Sequence, residues 1–458
     1  MRVQTAFGLL AIALLAAGCS QPAVQTTTTS TTTTTTAVET GRPTLGTLQA
    51  APEVLVGSPG GGAEPNIAVA PDGTLYISTP LAFWRSDDGG KTWTAAAAKD
   101  AQGGGDGDIA VDGAGTLYWL GLFGAAGPVP FQASSDRGET FPKAFDVSEK
   151  TGADREWIDA TPDGHIYTTW RGSAGGKGAL EFRASTDGGA TWQPKSVVGP
   201  DGDEGPVTHD PVSGLLYIAD VDQAETAGVA PAVVHVYASA DEGKSWTGAD
   251  VATLPRTSPV EPNAYASDFP VVAVDGNGTA YLVYSADATG LPAGQAPPEE
   301  AARYGTYLAV SHDQGKTWST PQLISDPLKD ARFPWVAAGA AGRIAVVWYE
   351  SVVGVPGEAL PDEWNVKLWE SVTADQVSPV SATVTLTQTP NHVGSVCTSG
   401  TGCLAADRSL LDFFEVAIAP NGQPVVAFAS STLGTGLGIA VQGTDVYFGT
   451  LQQGPSLL

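Results

Sequence analysis

The sequence predicts an all-β fold, a β-propeller of four-stranded antiparallel blades, and three observations carry that expectation. A turn motif, Ser-x-Asp-x-Gly-x-Thr-Trp, begins at Ser86, Ser185 and Ser311. Near copies begin at Ser134, ending in Phe141, and at Ser239, with Ser245 in place of Thr. A second unit, two short apolar strands around a Gly-centred turn, begins at Ile67, Ile109, Ile158, Val207, Val271, Val336 and Val416. Composition agrees, because 56 Gly, 33 Pro and 16% charged residues suit many short strands joined by turns. Self-similarity at recurring intervals marks a repeat architecture, and four-stranded repeats around an axis are propeller blades.

The N-terminus reads as an export signal. Arg2 precedes an apolar run, Phe7 to Ala17, too short to span a bilayer as a permanent helix. The run ends Leu15-Ala-Ala-Gly18-Cys19-Ser and resembles a bacterial lipoprotein lipobox, with Ala16 where that family usually has Leu. The resemblance implies that residues 1–18 are a lipoprotein signal peptide and that Cys19 is lipidated. Several acyl chains make such an anchor stable. The protein is then expected outside the cytoplasm, lipid-anchored to the bacterial cell membrane, with no other membrane contact. Residues 19–48 follow as a Thr-rich tether, since Thr26 to Thr36, broken only by Ser30, lacks the apolar surface needed to fold.

The propeller is expected over residues 49–458. Each hairpin alternates apolar with small or polar residues, most of them around Asp-Gly or Asn-Gly, the strongest short hairpin signal. Successive starts lie 42 to 80 residues apart. Each interval accommodates the hairpin, a third strand, the Asp turn and a fourth strand such as Pro194 to Gly199. The longer intervals place insertions at 287–305, 352–366 and 391–411, on loops. After the seventh hairpin, residues 438–451 supply one more strand region. The segment Pro52 to Ser58 looks like the fourth strands of other blades. It is expected to complete the last blade, leaving no open edge. Seven blades follow. Cys397 and Cys403 enclose five residues rich in Gly, Ser and Thr, which in an exported chain reads as a local disulfide.

The turn motif has its own chemistry. Its Asp accepts backbone N–H groups, its Gly takes a positive φ, its hydroxyls tie the ends and its aromatic ring buries against the next sheet. The motif resembles the Asp box, or bacterial neuraminidase repeat, of the sialidase superfamily, over most of residues 49–458. The resemblance implies that Asp88, Asp136, Asp187, Asp241 and Asp313 are structural, on the face opposite any active site. True sialidases have six blades, which is the alternative count. Two further segments, Asp154-Arg155-Glu156-Trp157 and Asp407-Arg408-Ser-Leu-Leu-Asp412-Phe-Phe, are similar to bacterial exported sialidase-like proteins.

Function must then be sought at the other face, where first strands begin. Three or four residues before the hairpins stand Glu64, Asp106, Asp154 with Arg155, Asp203 with Glu204, Asp268, Arg332 and Asp412. Together they predict a charged ring at the channel mouth. Three readings compete. A sialidase grips the substrate carboxylate with several Arg, and Arg155, Arg332 and Arg408 are the candidates, with Asp154 as acid/base and Tyr349-Glu350 as nucleophile pair. However, the family's Arg-Ile-Pro segment is absent, and adjacent residues of a strand point to opposite sides. The second reading is cleavage of another glycan by two ring carboxylates. The third is a binding module for glycan, peptide or envelope protein, with Trp157, Trp335, Tyr304 and Trp364 as aromatic candidates. The protein is expected to act as a monomer.

A net charge of −27 argues against a nucleic-acid partner. The ring carboxylates suit a Ca²⁺ ion, although no EF-hand spacing supports one and no cofactor is predicted. The five His residues form no zinc motif, and there is no GxSxG elbow, P-loop or dinucleotide fingerprint.

Overall fold

Seven antiparallel sheets make up the computed structural model, which describes residues 44–57, 62–80, 82–103, 106–123, 127–142, 144–149, 153–174, 177–200, 205–222, 232–254, 269–288, 303–352, 362–396, 407–431 and 444–458. The sheets follow the chain, so we number them as blades. Their first strands are Asn66–Val69, Gly107–Val111, Asp154–Ala160, Val207–His209, Val271–Val274, Ala331–Ala338 and Glu415–Ile418. Each first strand neighbours the next, and the seventh returns to the first. The expected all-β propeller has seven blades, and the six-bladed alternative is set aside.

Closure follows the expected route. The last blade holds Glu415–Ile418, Pro424–Ser430 and Asp445–Gln453, and the N-terminal Val54–Gly57 pairs antiparallel with the last of these. Gln49–Ala50 pairs with the same strand further along. The first strands of the propeller therefore hydrogen-bond to its last. A propeller closed this way exposes no strand edge at the seam.

The Asp boxes fasten one blade to another. In the first, Asp88 Oδ1 accepts the Thr92 amide at 2.9 Å and the Ser86 hydroxyl at 2.9 Å, while Thr92 Oγ1 donates to Oδ2 at 2.7 Å. The hydroxyl donors and the amide hold the Asp88 carboxyl down at about 2. Asp136, Asp187, Asp241 and Asp313 repeat the pattern. The box glycines have positive φ, and Gly90, Gly189, Gly243 and Gly315 lie against a ring of the preceding blade. A Cβ at Gly90 would come within 2.2 Å of Phe448, one at Gly189 within 2.2 Å of Phe131, and one at Gly243 within 1.9 Å of Phe182. The box indoles meet the same rings, Trp192 on Phe131 at 4.9 Å and Trp246 on Phe182 at 5.1 Å. A glycine is required there twice, once for backbone conformation and once for space.

Polar side chains join the first strands around the channel. Glu415 of the seventh blade accepts the Ile67 amide of the first at 2.9 Å. Asp108 of the second accepts the Ile158 amide of the third at 2.9 Å, and Asp159 of the third accepts the His209 amide of the fourth at 2.8 Å. First strands of neighbouring blades share no ladder, so these contacts satisfy amides that would otherwise be buried unpaired.

The strands alternate direction. First-to-second turns and Asp boxes therefore share one face, while first-strand starts and second-to-third loops share the other. The second face carries the candidate ring.

Candidate functional site

A local backbone device builds the mouth. Glu64, Arg155 and Phe333 each stand three residues before the hairpin start of their blade, and each has a positive φ, 50°, 54° and 57°. For non-glycine residues this is a costly conformation. In the third and sixth blades it coincides with a register shift between first and second strands, at Asp154/Trp157 and at Arg332/Trp335.

Arg155 is the centre of the cluster, and its side chain is only 12% exposed. Its Nη2 donates to Asp412 Oδ2, its Nη1 lies 3.4 Å from Glu64 Oε1, and its Nε lies 3.6 Å from Asp106 Oδ2. The guanidinium also sits over the Phe269 ring, 5.2 Å from its centroid. Arg408 Nη2 donates to the same Asp412 oxygen. Four blades or their approaches thus contribute, with Glu64 from the first, Asp106 from the second, Asp154 and Arg155 from the third, and Arg408 and Asp412 from the seventh.

Burial sets the protonation pattern. It drives the Glu64 carboxyl well above the usual carboxylate range, aided by Asp106 and Asp412, against the pull of Arg155 and Arg408. It also raises Asp154, with Arg155 opposing. Burial alone would raise Asp412 as well, but Arg155 and Arg408 together hold it below its ordinary value. The mouth therefore sets carboxyls favouring the proton beside an ionised one, the arrangement that divides acid and base roles.

Beneath the mouth lies an apolar floor. Trp157, Phe269 and Phe413 are buried together with Trp335 against them, and Trp157 packs on Phe413 at 4.7 Å and on Phe269 at 5.1 Å. These rings come from the third, fifth, sixth and seventh blades, so they span the channel. Glu156 is buried beside them with neither carboxylate oxygen hydrogen-bonded, and burial pushes its carboxyl well up. Glu156 was not among the candidates at the channel mouth that the sequence offers. Its position directly after Arg155 was the available signal.

Other sequence candidates lie elsewhere. Arg332 is buried, bonded to Asp330 at 2.9 Å and to the Val396 carbonyl at 2.6 Å, and stacked over Tyr304. Tyr349 is fully buried between the sixth and seventh blades, its hydroxyl accepting the Ala429 amide at 3.0 Å and its ring 4.1 Å from Phe414. Glu350 faces the other side, near Lys367 at 3.3 Å and Trp348 Nε1 at 3.1 Å. The nucleophile–base pair considered for Tyr349 and Glu350 is therefore not assembled. Tyr304 and Trp364 are buried, not open to a sugar. Asp203, Glu204, Asp268, Cys19, Cys397 and Cys403 lie outside the described residues. Among the described residues, no group of three His, Cys, Asp or Glu is arranged to hold a metal ion, and no helix is long and apolar enough to cross a membrane.

A family model for the BNR/Asp-box repeat matches residues 84–95 and 309–320, the first and fifth boxes. The chain is a seven-bladed β-propeller that carries BNR/Asp-box repeats. Among solved structures, this propeller is similar to an ulvan lyase of a polysaccharide lyase family, at 11% identity over 86% of this chain and 95% of that one, with a TM-score of 0.52. It is also similar to an α-L-arabinofuranosidase of Fusarium graminearum, at 15% identity over 87% and 97%, TM-score 0.45. A third is the NanB sialidase of Streptococcus pneumoniae, at 12% identity over 88% and 70%, TM-score 0.41. At these identities the likeness concerns the fold alone. No curated protein sequence matches the chain.

Proposed function

We propose that this propeller binds or hydrolyses carbohydrate at its channel mouth, at the cell surface. The observation that carries the reading is the convergence of Glu64, Asp106, Asp154, Arg155, Arg408 and Asp412 above the aromatic floor. Sugars are recognised by arrays of charged and polar groups that accept and donate to hydroxyls, backed by apolar surface for the ring faces. The ulvan lyase of this fold acts on a polysaccharide, which places carbohydrate chemistry within the scaffold's range without assigning it.

The cluster favours a neutral sugar over a sialic acid. Arg155 and Arg408 already meet protein carboxylates, so gripping an anionic substrate would mean displacing Asp412. If the mouth is catalytic, Asp154, which burial holds toward its protonated form, is the acid, and the more open Asp106 is the base or nucleophile. An alternative, a non-catalytic propeller binding a protein or peptide of the cell envelope, is favoured by the apolar aromatic floor that spans the channel beneath the mouth. Anchoring through Cys19 supplies the location in either case, and Cys19→Ala is expected to release the protein from membranes.

The deciding experiment uses a panel of fluorogenic glycosides, sialosides included, together with a glycan array. Wild type is compared with Arg155→Ala, Asp106→Ala and Asp154→Asn. Turnover or glycan binding by wild type, lost in the variants, supports the reading. A wild type inert in both assays that captures a protein partner overturns it.

A further inference from the structure

Flanking Arg408 in the chain, the end of the seventh blade's second strand gathers a second set of chemical groups. His392 is buried at 1% exposure, and Ser431 beside it at 3%. Ser431 Oγ lies 3.1 Å from His392 Nδ1, and Ser409 Oγ lies 2.6 Å from Ser431 Oγ and 3.5 Å from the same ring nitrogen. On the other side of the ring, Nε2 faces the Ser395 carbonyl at 3.4 Å and Asp407 Oδ2 at 3.9 Å.

These partners fix the tautomer. Nε2 faces a carbonyl and a carboxylate, both acceptors, so the ring proton belongs there and Nδ1 presents its lone pair to the two hydroxyls. Burial lowers the His392 pKa, with Asp407 opposing, so the ring is a neutral base at neutral pH. Three contacts hold the ring's strand in place. The Ser431 amide donates to the Asn391 carbonyl at 2.7 Å, Ser430 Oγ donates to the same carbonyl at 3.0 Å, and Asn391 Nδ2 donates to the Ala429 carbonyl at 3.1 Å. Ser409 is half-buried, the more open of the two serines, and its amide is pinned by Asp407 Oδ1 at 2.8 Å. A hydroxyl aimed at a neutral imidazole, itself oriented by acceptors on its far side, is the signature of an activated nucleophile.

We propose that Ser409 is the nucleophile of an acyl-ester hydrolase site, with His392 as its general base and Ser431 as the proton relay. In the first step Ser409 Oγ attacks the ester carbonyl, and its proton passes through Ser431 Oγ to His392 Nδ1. The bond from the acyl carbon to the leaving oxygen breaks, the imidazolium returns the proton to that oxygen, and the alcohol departs. Water then attacks the acyl-serine, losing a proton to His392; the bond from the acyl carbon to Ser409 Oγ breaks, the imidazolium returns the proton to Oγ, and the carboxylic acid is released. Asp407, at ion-pair distance, stabilises the transient imidazolium. No oxidant, metal or cofactor enters the balance. The site acts on a different bond from the mouth and stands without the carbohydrate reading.

The test treats the full chain with a fluorophosphonate, which phosphonylates activated serines, and maps the label by peptide mass spectrometry. Turnover of p-nitrophenyl acetate is followed in parallel. The expected result is a label on Ser409 and ester turnover that falls at least about 100-fold in Ser409→Ala. Ser431→Ala, in which Ser409 retains the direct contact to His392, is expected to label more slowly while melting like wild type. A folded wild type that stays unlabelled, a label on any other residue, or a Ser409→Ala variant that keeps its ester turnover overturns the proposal.

Discussion

Arg155 and Asp412 stand 257 positions apart in sequence, yet the Arg155 guanidinium donates to the Asp412 carboxylate at the channel mouth. The contact ties the third blade to the approach of the seventh, and it explains why a carboxyl that burial would protonate stays ionised. Both partners are nearly enclosed, at 12% and 3% side-chain exposure. Removing one partner of a buried pair leaves a desolvated charge. Arg155→Ala is therefore expected to cost about 3 kcal/mol in urea denaturation. Arg408 still answers Asp412, so the double variant Arg155→Ala/Asp412→Asn should cost less than the two single variants combined. Additive losses would mean that the pair is not coupled.

Stability should fall as the pH rises from mildly acidic to mildly alkaline. Burial raises the carboxyls of Glu64, Glu156 and Glu415 well above their ordinary range and that of Asp108 to about 7. For a carboxyl whose folded pKa is raised, the stabilisation is complete below the unfolded pKa and is lost as pH climbs through the folded one. Asp412 runs the other way, losing its contribution as pH falls below the ordinary carboxylate range. The melting temperature should therefore peak near pH 5 and decline as the pH rises through about 7. Glu156→Gln, which removes a buried carboxyl with no hydrogen-bond partner, should melt higher than wild type at pH 8 and flatten the decline. An equal shift at pH 5 and pH 8 would sink this account.

Two glycines separate conformation from space. Gly73 has a φ of +87° and nothing near its absent Cβ, whereas Gly189 has a φ of +84° and a Cβ that would sit 2.2 Å from Phe131. Gly73→Ala should cost about 1 kcal/mol for backbone strain alone. Gly189→Ala adds a collision with a buried ring and should cost at least about 3 kcal/mol. Guanidinium denaturation of the two variants measures the difference, which is the energetic worth of the contact between Asp box and preceding blade.

The blades were legible in the sequence because their signals are local. Asp-Gly turns, period-two apolarity and the Ser-x-Asp-x-Gly box each act within a few residues, and the seven hairpins and the N-terminal closure could be read from them. The mouth was legible only in part. Asp154 and Arg332 hold the same register, opposite Arg171 and Tyr349. The residue with positive φ comes one place later, Arg155 in one blade and Phe333 in the other. Arginine falls on that place in the third blade and just before it in the sixth, so Arg155 joins the mouth cluster while Arg332 bonds Asp330. Where a backbone kinks against its neighbours depends on tertiary packing, and charge spacing alone carries no trace of it. The opposed directions of Tyr349 and Glu350 needed only strand alternation.

The seam at the N-terminus should behave as part of the domain. Val54–Gly57 and Gln49–Ala50 both pair with Asp445–Gln453, and Val56 is buried in the core shared with Ile67, Ile77 and Phe448. Deleting residues 49–57 exposes that strand edge and its apolar face together. A chain lacking them should lose its cooperative melting transition or melt far below wild type in calorimetry. Unchanged melting would exclude this seam as the closure.

Tyr349 supplies a test that separates architecture from chemistry. A sialidase-type nucleophile must reach the substrate, yet this hydroxyl is fully buried and accepts the Ala429 amide across the sixth and seventh blades. Burial also raises its pKa above that of an ordinary phenol, which disfavours the phenolate a nucleophile would use. Tyr349→Phe keeps the ring stacked on Phe414 and leaves the amide without its acceptor, at a cost of about 1–2 kcal/mol in denaturation. Any glycoside turnover found for wild type should survive in this variant, because the groups at the mouth lie elsewhere. Loss of turnover in a variant that still melts cooperatively would return Tyr349 to the chemistry and move the active site away from Arg155.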